Sequence, residues 1–184
     1  MADVFEDRPD VVQARLDLFL TIEETPALDW LLLTKRPDNI RRLLPGWYSG
    51  RPWPNVWLGT TGEDDEWMIP RLDALLDVEA VVHFLSYEPA LGPLTALRRY
   101  SSRTERLHRL DWVIAGGESG VGARSPQIDW FREVRDQCAF DGVAFHFKQW
   151  GECGPDLIDI GKKEAGRVLD GRTWDEYPRG SPED

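Results

Sequence analysis

The chain has 184 residues, of which 41% are hydrophobic and nine are tryptophan. This length and apolar content predict one folded domain with a sizeable core and exclude a disordered tail. The formal net charge of −11 repels a phosphate backbone at long range, which disfavours nucleic acid as a partner but leaves room for a local basic pocket.

The sequence shows neither a secretory signal nor a membrane span. Its first residues are acidic and lack the charged-then-apolar pattern of a signal peptide, and no apolar run approaches the roughly 20 residues that cross a bilayer. The two cysteines, Cys138 and Cys153, form neither a disulfide framework nor a spaced metal motif. We therefore expect a cytoplasmic protein in a reducing compartment, without a metal site or a membrane contact.

In chain order, a helix is predicted first, over residues 7–25, because Pro9 and Asp10 suit its first turn. Apolar residues at helical spacing predict that its inward face carries Val12, Leu16, Phe19 and Leu20. Further helices are predicted from Pro37, around Trp67 and from Gln127, and the arginine-rich connector at 94–110 leaves room for a short one.

Five short apolar runs predict buried strands. They lie at residues 29–33, 55–58, 80–85, 112–115 and 143–147. Because they recur about every 25 to 32 residues with a helical connection between them, they fit βαβ units with right-handed crossovers and a parallel sheet.

This pattern predicts an α/β fold, with an incomplete TIM-type (β/α) barrel over residues 1–150. A closed eight-stranded barrel typically needs about 250 residues, so either the sheet is open or the amino-terminal part of a larger barrel is absent. Residues 151–184 are rich in Gly, Pro and charge, and we expect a small C-terminal extension that packs on the barrel through a hairpin and Trp174. An open sheet edge would allow association with another chain.

Each predicted strand is followed by polar residues, at the edge where α/β folds bind ligands. The candidate catalytic residues are Lys35, Glu88, Glu118 and Lys148. The candidate ligand-binding residues at the same edge are Thr34, Arg36, Thr61, Glu63, Ser86, Gly116, Gly117, Ser119 and Gln149.

Each of these residue types has a chemical and a structural interpretation. A lysine at this edge can bind an anion or, if burial lowers its pKa, act as a base or a Schiff-base amine; otherwise it is solvated. A glutamate can take a proton, bind an amino group or hold a metal, or it can pair with Lys35, Lys148 or Arg124. Gly116 and Gly117 can cradle a phosphate or only allow a tight turn.

Five motifs carry a resemblance to a known family. They are LLLTKRP at 31–37, NVWLGTTGED at 55–64, FLSYEPALGP at 84–93, DWVIAGGESGVGAR at 111–124 and FHFKQWGE at 145–152. Together with GKKEAGRVLDGRTWDEYP at 161–178, they resemble an uncharacterised phage and prophage protein family. Its barrel is similar to that of radical S-adenosylmethionine (radical-SAM) enzymes.

The resemblance has implications for cofactors and for the completeness of the barrel. Fuller members carry three cysteines before the position matching Met1, and these are the expected ligands of an iron–sulfur cluster that works with S-adenosylmethionine. This chain has no closely spaced cysteines, so neither cofactor is expected from it alone. It would be the C-terminal part of the barrel, with residues 2–5 resembling the end of an early strand.

Three functions follow as alternatives. The first is the substrate side of a radical-SAM-like active site, acting on a nucleotide-like or other small molecule. The second is a cluster-independent lyase or hydrolase, with Glu88 or Glu118 as base and Lys35 or Lys148 as electrophilic group. The third is a non-catalytic subunit that completes a barrel with another chain.

Overall fold

A computed structural model of the chain describes residues 3–44, 53–97, 110–156 and 158–178. The strands are β1 Trp30–Thr34, β2 Val56–Thr61, β3 Val82–Tyr87, β4 Trp112–Gly116 and β5 Ala144–Gln149. The helices are α1 Val12–Glu24, α2 Ile40–Leu43, α3 Asp65–Leu76, α4 Ile128–Asp141 and α5 Lys162–Ala165. Short 3-10 turns, Pro9–Val11 and Pro37–Asn39, precede α1 and α2.

All five strands form one sheet in the order β1-β2-β3-β4-β5, and every neighbouring pair is parallel. The predicted α/β class and the five parallel strands are therefore confirmed. The sheet is open, with β1 and β5 at its edges, so a TIM-type barrel stays a prediction. The short helix predicted in the connector falls mostly on residues 98–109, which lie outside the described ranges.

The strands extend further at their carboxyl ends than the sequence predicted. Polar candidates that were expected to follow the strands are instead strand residues, namely Thr34, Thr61, Ser86, Gly116, Lys148 and Gln149. Ladder pairing with the neighbouring strand accounts for this, since Thr34 pairs with Thr60 and Thr61 pairs with Ser86. A paired backbone keeps its hydrogen bonds beyond the point where the apolar side chains stop.

Alternate strand residues point to opposite faces of the sheet. One face packs on the helices and forms the main core, which includes Leu58, Leu85, Val113, Phe145, Phe19, Leu72 and Phe131. The other carries a second cluster, made of Trp57, Val82, Phe84 and Trp112, and is called the aromatic face below. There the Trp112 ring lies 6.1 Å from the Trp57 ring and 6.2 Å from the Phe84 ring, between centroids.

The two edge strands have different surroundings. Along β5 run C-terminal residues, since the Phe147 N–H donates to the Trp174 carbonyl at 2.9 Å and an antiparallel bridge joins His146 to Asp175. Strand β1 has no such neighbour on its outer side within the described ranges. On β1, Leu31 and Leu33 are 43% and 42% exposed.

Helix α1 buries a different face from the predicted one. The exposed residues include Val12, Leu16 and Leu20, whereas the buried ones are Arg15, Phe19 and Ile22. Arg15 Nη1 donates to the carbonyl oxygens of Val4 and Glu6, each at 3.1 Å, so a buried guanidinium satisfies the backbone of the amino-terminal turn. The helix is rotated so that Arg15 can reach these carbonyls, and the predicted inward face was therefore wrong, apart from Phe19.

Residues 3–5 form a turn and not the end of a strand, and residue 2 lies outside the described ranges. The Asp3 carboxylate accepts hydrogen bonds from Thr34 Oγ1 at 2.9 Å and from the Lys35 N–H at 2.7 Å. Phe5 is fully buried in the main core. The turn therefore covers the carboxyl end of β1.

The C-terminal residues pack into the same main core, where Leu169 is fully buried and Trp174 lies against the buried cluster. A tight turn at Asp170 and Gly171, with φ of 52° and 81°, joins Leu169 to Arg172 through an antiparallel bridge. Two positive φ angles are typical of a two-residue hairpin turn. The predicted hairpin is thus present in a short form, while a domain boundary at residue 150 stays a prediction. No helix among the described residues combines the length and apolar character needed to cross a bilayer.

Candidate functional site

The ends of β3, β4 and β5 bring four candidate residues into contact. Lys148 Nζ lies 2.9 Å from Glu88 Oε2, and Gln149 Nε2 donates to Glu88 Oε1 at 2.9 Å. The same Gln149 amide nitrogen is 3.1 Å from Ser119 Oγ. Glu88, Lys148, Gln149 and Ser119 are called the Glu88 cluster below.

A β-bulge lets two consecutive residues of β5 reach one carboxylate. Ala115 pairs with Phe147, but the next residue, Gly116, pairs with Gln149, so Lys148 is the extra residue of β5. In a regular strand, neighbouring side chains point to opposite faces, whereas a bulge re-aims one of them. Both Lys148 and Gln149 therefore bind the Glu88 carboxylate.

Gly116 leaves room for that carboxylate, since a Cβ there would lie 3.2 Å from Glu88 Oε1. Gly117 lies in a closer contact, because a Cβ atom added there would lie 1.8 Å from the Trp150 carbonyl oxygen. Its N–H donates to the Gln149 carbonyl at 3.0 Å. The glycine run therefore packs two backbones together, and the Gly117 N–H is already used within the protein.

A second charged cluster lies at the ends of β1 and β2. Lys35 Nζ is 2.5 Å from Glu63 Oε1, and Arg71 Nη1 is 2.8 Å from Glu63 Oε2 and 2.9 Å from Thr61 Oγ1. Lys35, Thr61, Glu63 and Arg71 are called the Glu63 cluster below. Burial would raise the pKa of Glu63, but the hydrogen bond from Lys35, a backbone hydrogen bond and the charges of Lys35 and Arg71 together lower it.

The two clusters are linked through the segment that follows β3. The backbone N–H groups of Leu91 and Gly92 donate to the Glu63 carbonyl at 2.9 and 3.2 Å, and the Ala90 N–H donates to the Gly116 carbonyl at 2.9 Å. Buried Ser86 lies beside Thr61 in the ladder between β2 and β3. Both clusters therefore belong to one edge of the sheet.

Glu118 makes its contacts with Arg124. Arg124 Nη2 lies 2.6 Å from Glu118 Oε1, and the Arg124 Nε and N–H donate to Oε2, each at 2.8 Å. The hydrogen bonds from the Arg124 side chain, and to a smaller extent the one from its backbone N–H, lower the pKa of Glu118 to about 2. All three candidate glutamates are thus paired with cations that the sequence had offered as ion-pair partners.

Two of the predicted ligand-binding residues are directed elsewhere. Thr34 is buried, and its hydroxyl binds Asp3 and accepts from the Arg36 N–H at 2.8 Å. Arg36 is exposed and donates to the Lys35 carbonyl at 3.2 Å.

Arg71 is a residue of the Glu63 cluster that the sequence did not predict. Its position four residues after Trp67 on a helix is a usable signal, because residues at this spacing are neighbours on a helix surface. The Arg71 guanidinium lies 4.8 Å from the Trp67 ring centroid.

Below the Glu88 cluster, two buried polar atoms on the aromatic face have no hydrogen-bond partner among the described residues: Trp112 Nε1 and His146 Nδ1. The Tyr177 ring lies 5.2 Å from the Trp112 ring and 6.0 Å from the His146 ring. Burial, followed by the charges of Arg167 and Lys148, lowers the pKa of His146.

The cysteines do not form a donor set for an iron–sulfur cluster. Cys138 is buried in the main core on α4, where burial raises the pKa of its thiol. Cys153 is also buried, and its sulfur accepts a hydrogen bond from Ser125 Oγ at 3.0 Å. Across the described ranges, no group of three His, Cys, Asp or Glu residues is arranged to hold a metal ion.

Comparison with protein families shows that residues 1–178 match a family described as "Protein of unknown function (DUF5131)". The chain belongs to the DUF5131 family. The matched range contains all five strands, the Glu88 cluster and the Glu63 cluster. No curated protein and no solved structure matches the chain. The DUF5131 description names no activity.

Proposed function

We propose that this DUF5131 protein provides the substrate-binding side of an enzyme active site, with the Glu88 cluster at its centre. The observation that carries the proposal is the pair of hydrogen bonds from Lys148 and Gln149 to the two oxygens of Glu88. A carboxylate held by two donors is fixed in orientation, and this edge of a parallel sheet is where α/β enzymes bind ligands. The side chain of Lys148 is 52% exposed and can meet a ligand from solvent.

The resemblance supports a finer version, in which the sheet is the substrate side of a radical-SAM-like barrel of phage origin. Because Cys138 and Cys153 do not fit as cluster ligands, residues outside this chain would have to hold an iron–sulfur cluster. In this version the Glu88 cluster binds and orients a small, nucleotide-like substrate. Lys148 supplies positive charge for an anionic group, and Gln149 keeps Glu88 in place.

A cluster-independent lyase or hydrolase would use the same residues. Glu88 would take a proton from the substrate, and Lys148 would stabilise the negative charge that develops. The contacts of Glu118 with Arg124 and its pKa of about 2 favour Glu88 over Glu118 as the base. This version expects activity in protein prepared in air.

The test is ligand binding by wild-type protein and by the variants Glu88→Gln and Lys148→Met. A panel of nucleotides and small anionic metabolites is screened by thermal shift, since a ligand that binds only the folded state raises the melting temperature by mass action. For any ligand found that carries an organic group as well as an anionic one, each variant is expected to bind at least about tenfold more weakly, the loss of one charged hydrogen bond of about 1.5–3 kcal/mol.

The matched control is Arg42→Met, which removes the cation of another ion pair with a 2.9 Å separation, to Asp7. This control should bind the ligand as the wild type does. Normal binding by folded Glu88→Gln and Lys148→Met proteins would contradict the proposal.

A second candidate function, favoured by the open side of β1, is association with another chain that adds a strand there. Leu31 and Leu33 are each more than 40% exposed, and unpaired strand edges pair readily with other strands. The proposed occupant is a chain carrying the cysteines that this one lacks. Native mass spectrometry of co-expressed proteins tests it: Leu33→Lys should abolish the complex, and Leu28→Lys, at a residue 55% exposed before β1, should not.

A further inference from the structure

Beside β5, next to the Glu88 cluster, lies a cavity of about 390 Å³. It is lined by Lys148, Gln149, Lys162, Lys163, Gly166 and Arg167. Small-molecule sites typically occupy about 300–1,000 Å³, so the size suits part or all of such a ligand. Because Lys148 and Gln149 also bind Glu88, the cavity adjoins the Glu88 cluster.

The charge of this cavity is opposite to that of the chain as a whole. The formal net charge is −11, and the chain contains only four lysines. Three of them, Lys148, Lys162 and Lys163, line this one cavity together with Arg167. A region that concentrates cations in an acidic protein attracts anions through its local potential.

The acids near the cavity leave two of these cations unpaired. Glu88 pairs with Lys148, and Asp175 pairs with Arg167. Neither Lys162 nor Lys163 has an ion pair within the part of the chain that the structure describes. Glu164 also lies on α5, and the Glu152 carboxylate accepts the Lys162 N–H at 3.0 Å. What this side of the cavity offers an anion is therefore the two unpaired ammonium groups and not a surplus of net charge.

The walls of the cavity are held together by backbone contacts. Both oxygens of Glu152 accept backbone N–H groups, that of Gly120 at 2.9 Å and that of Lys162 at 3.0 Å. The Trp150 N–H donates to the Gly166 carbonyl at 3.1 Å. These contacts fix α5 against the ends of β4 and β5, so the cationic side chains start from positioned backbones.

A larger cavity, of about 630 Å³, lies at the opposite ends of β4 and β5 and has different chemistry. Its lining includes the carboxylates of Asp111, Asp141 and Glu176, which repel an anion. It is also remote from the carboxyl ends of the strands, where both charged clusters lie. The smaller cavity is the one that suits an anionic ligand.

We propose that the cavity of Lys148, Lys162, Lys163 and Arg167 binds the phosphate group of a small-molecule ligand. Lysine ammonium and arginine guanidinium groups are the usual protein groups that bind phosphate. The proposal rests on the proposed function only in placing the rest of the ligand toward Glu88. The substrate class is thereby a phosphate ester or diphosphate, such as a nucleotide, and not an uncharged nucleoside.

The experiment measures pyrophosphate binding by isothermal titration calorimetry at a fixed, low ionic strength. The wild type is compared with the double variant Lys162→Gln/Lys163→Gln and with the control Arg8→Gln/Arg42→Gln, which removes the same charge from exposed ion pairs elsewhere. We expect the first variant to bind at least tenfold more weakly and the control to stay within twofold of the wild type. No binding by the wild type, or an equal loss in the control, overturns the proposal.

Two further ligands separate this proposal from the proposed function. A nucleoside diphosphate should compete with pyrophosphate, and the nucleoside should not; competition by the nucleoside overturns the phosphate assignment. Glu88→Gln should keep or raise the affinity for pyrophosphate, since it removes a negative charge beside Lys148. If pyrophosphate binds through Lys162 and Lys163 while Glu88→Gln changes no ligand's binding, the proposed function fails and the phosphate site stands. If a ligand depends on Glu88 but pyrophosphate does not bind, the phosphate site alone fails.

Discussion

A Cβ atom on Gly117 would lie only 1.8 Å from the carbonyl oxygen of Trp150, a separation that no side chain tolerates. The contact joins the segment after β4 to the segment after β5. In a second contact between the same segments, the glycine comes from the segment after β5 and the carbonyl from the segment after β4. There Gly151, at a φ of 88°, would place a Cβ 2.1 Å from the Glu118 carbonyl oxygen. The geometry of the Glu88 cluster depends on this approach, because Gln149 precedes Trp150 directly.

Gly117→Ala should therefore be strongly destabilising. We expect a loss of about 2–4 kcal/mol in the free energy of unfolding, since the clash is with backbone and cannot be relieved by a side-chain rotation. Urea denaturation followed by circular dichroism measures it. The control is Gly154→Ala, whose Cβ would meet only the flexible end of Ile160 at 3.0 Å and should cost much less. Equal stability of the two variants would show that the two backbones are not in contact.

The two cations that bind Glu63 should differ in their contribution to stability. The side chains of Arg71 and Glu63 are 11% and 8% exposed, whereas that of Lys35 is 54% exposed. Removing a cation from a buried pair leaves a buried charge, so Arg71→Met is expected to cost about 2–3 kcal/mol, and Lys35→Met below about 1 kcal/mol. Thermal and urea unfolding of both variants test the ranking. A larger loss for Lys35→Met would contradict the observed burial.

Asp170 should stabilise the fold in a pH-dependent way. It binds Arg132 and Arg135 on α4, and the hydrogen bonds from these arginines lower its pKa to about 2. Because the folded-state pKa lies below the ordinary value of about 3.9, the stabilisation is complete above that value and is lost as the pH falls toward 2. Asp170→Asn should cost about 1 kcal/mol at pH 7 and less at pH 3.

Asparagine also tolerates the positive φ of 52° at this position, so the substitution changes the charge without straining the turn. Urea unfolding at pH 7, 4 and 3 gives the difference between variant and wild type. Asp10→Asn, which removes one acid from an exposed ion pair with Arg8, is the control and should change little. A difference for Asp170→Asn that is the same at all three pH values would refute the linkage.

The imidazole of His146 should titrate below its ordinary pKa of about 6.5. Burial is the first cause, and the positive charges of Arg167 and Lys148 add to it. Lys148→Met should therefore raise the pKa of His146, while Arg8→Met, whose charge is not among those that shift this pKa, should leave it unchanged. Proton NMR of the imidazole signals across pH 5–8, with His146→Gln for assignment, measures this. A decrease in Lys148→Met would be contrary to the arrangement of charges around the ring.

Strand positions and the edge that carries the polar residues could be predicted from the sequence, since each strand contains an apolar run, such as Val113 and its neighbours, that is followed by polar residues. The bulge at Lys148 could not, because it depends on the register between β4 and β5, which no local pattern contains. The buried role of Arg15 was missed for a similar reason, as its carbonyl partners come from the amino-terminal turn. The place of Lys162 and Lys163 beside Lys148 could not be predicted either, because it depends on how the charged C-terminal segment packs on β5.

The two edges of the sheet differ in whether another strand can pair with them, and this difference limits how copies of the protein can associate. The outer side of β5 is bordered by residues 174–176, and among the described residues only β1 has an outer side without a neighbour. A sheet that is blocked on one side can accept one added strand, or pair once with a second copy through β1, but it cannot repeat the contact indefinitely. Each molecule therefore offers one edge for strand pairing and not two. Association through β1 would therefore stop at a discrete pair and would not continue into a fibre.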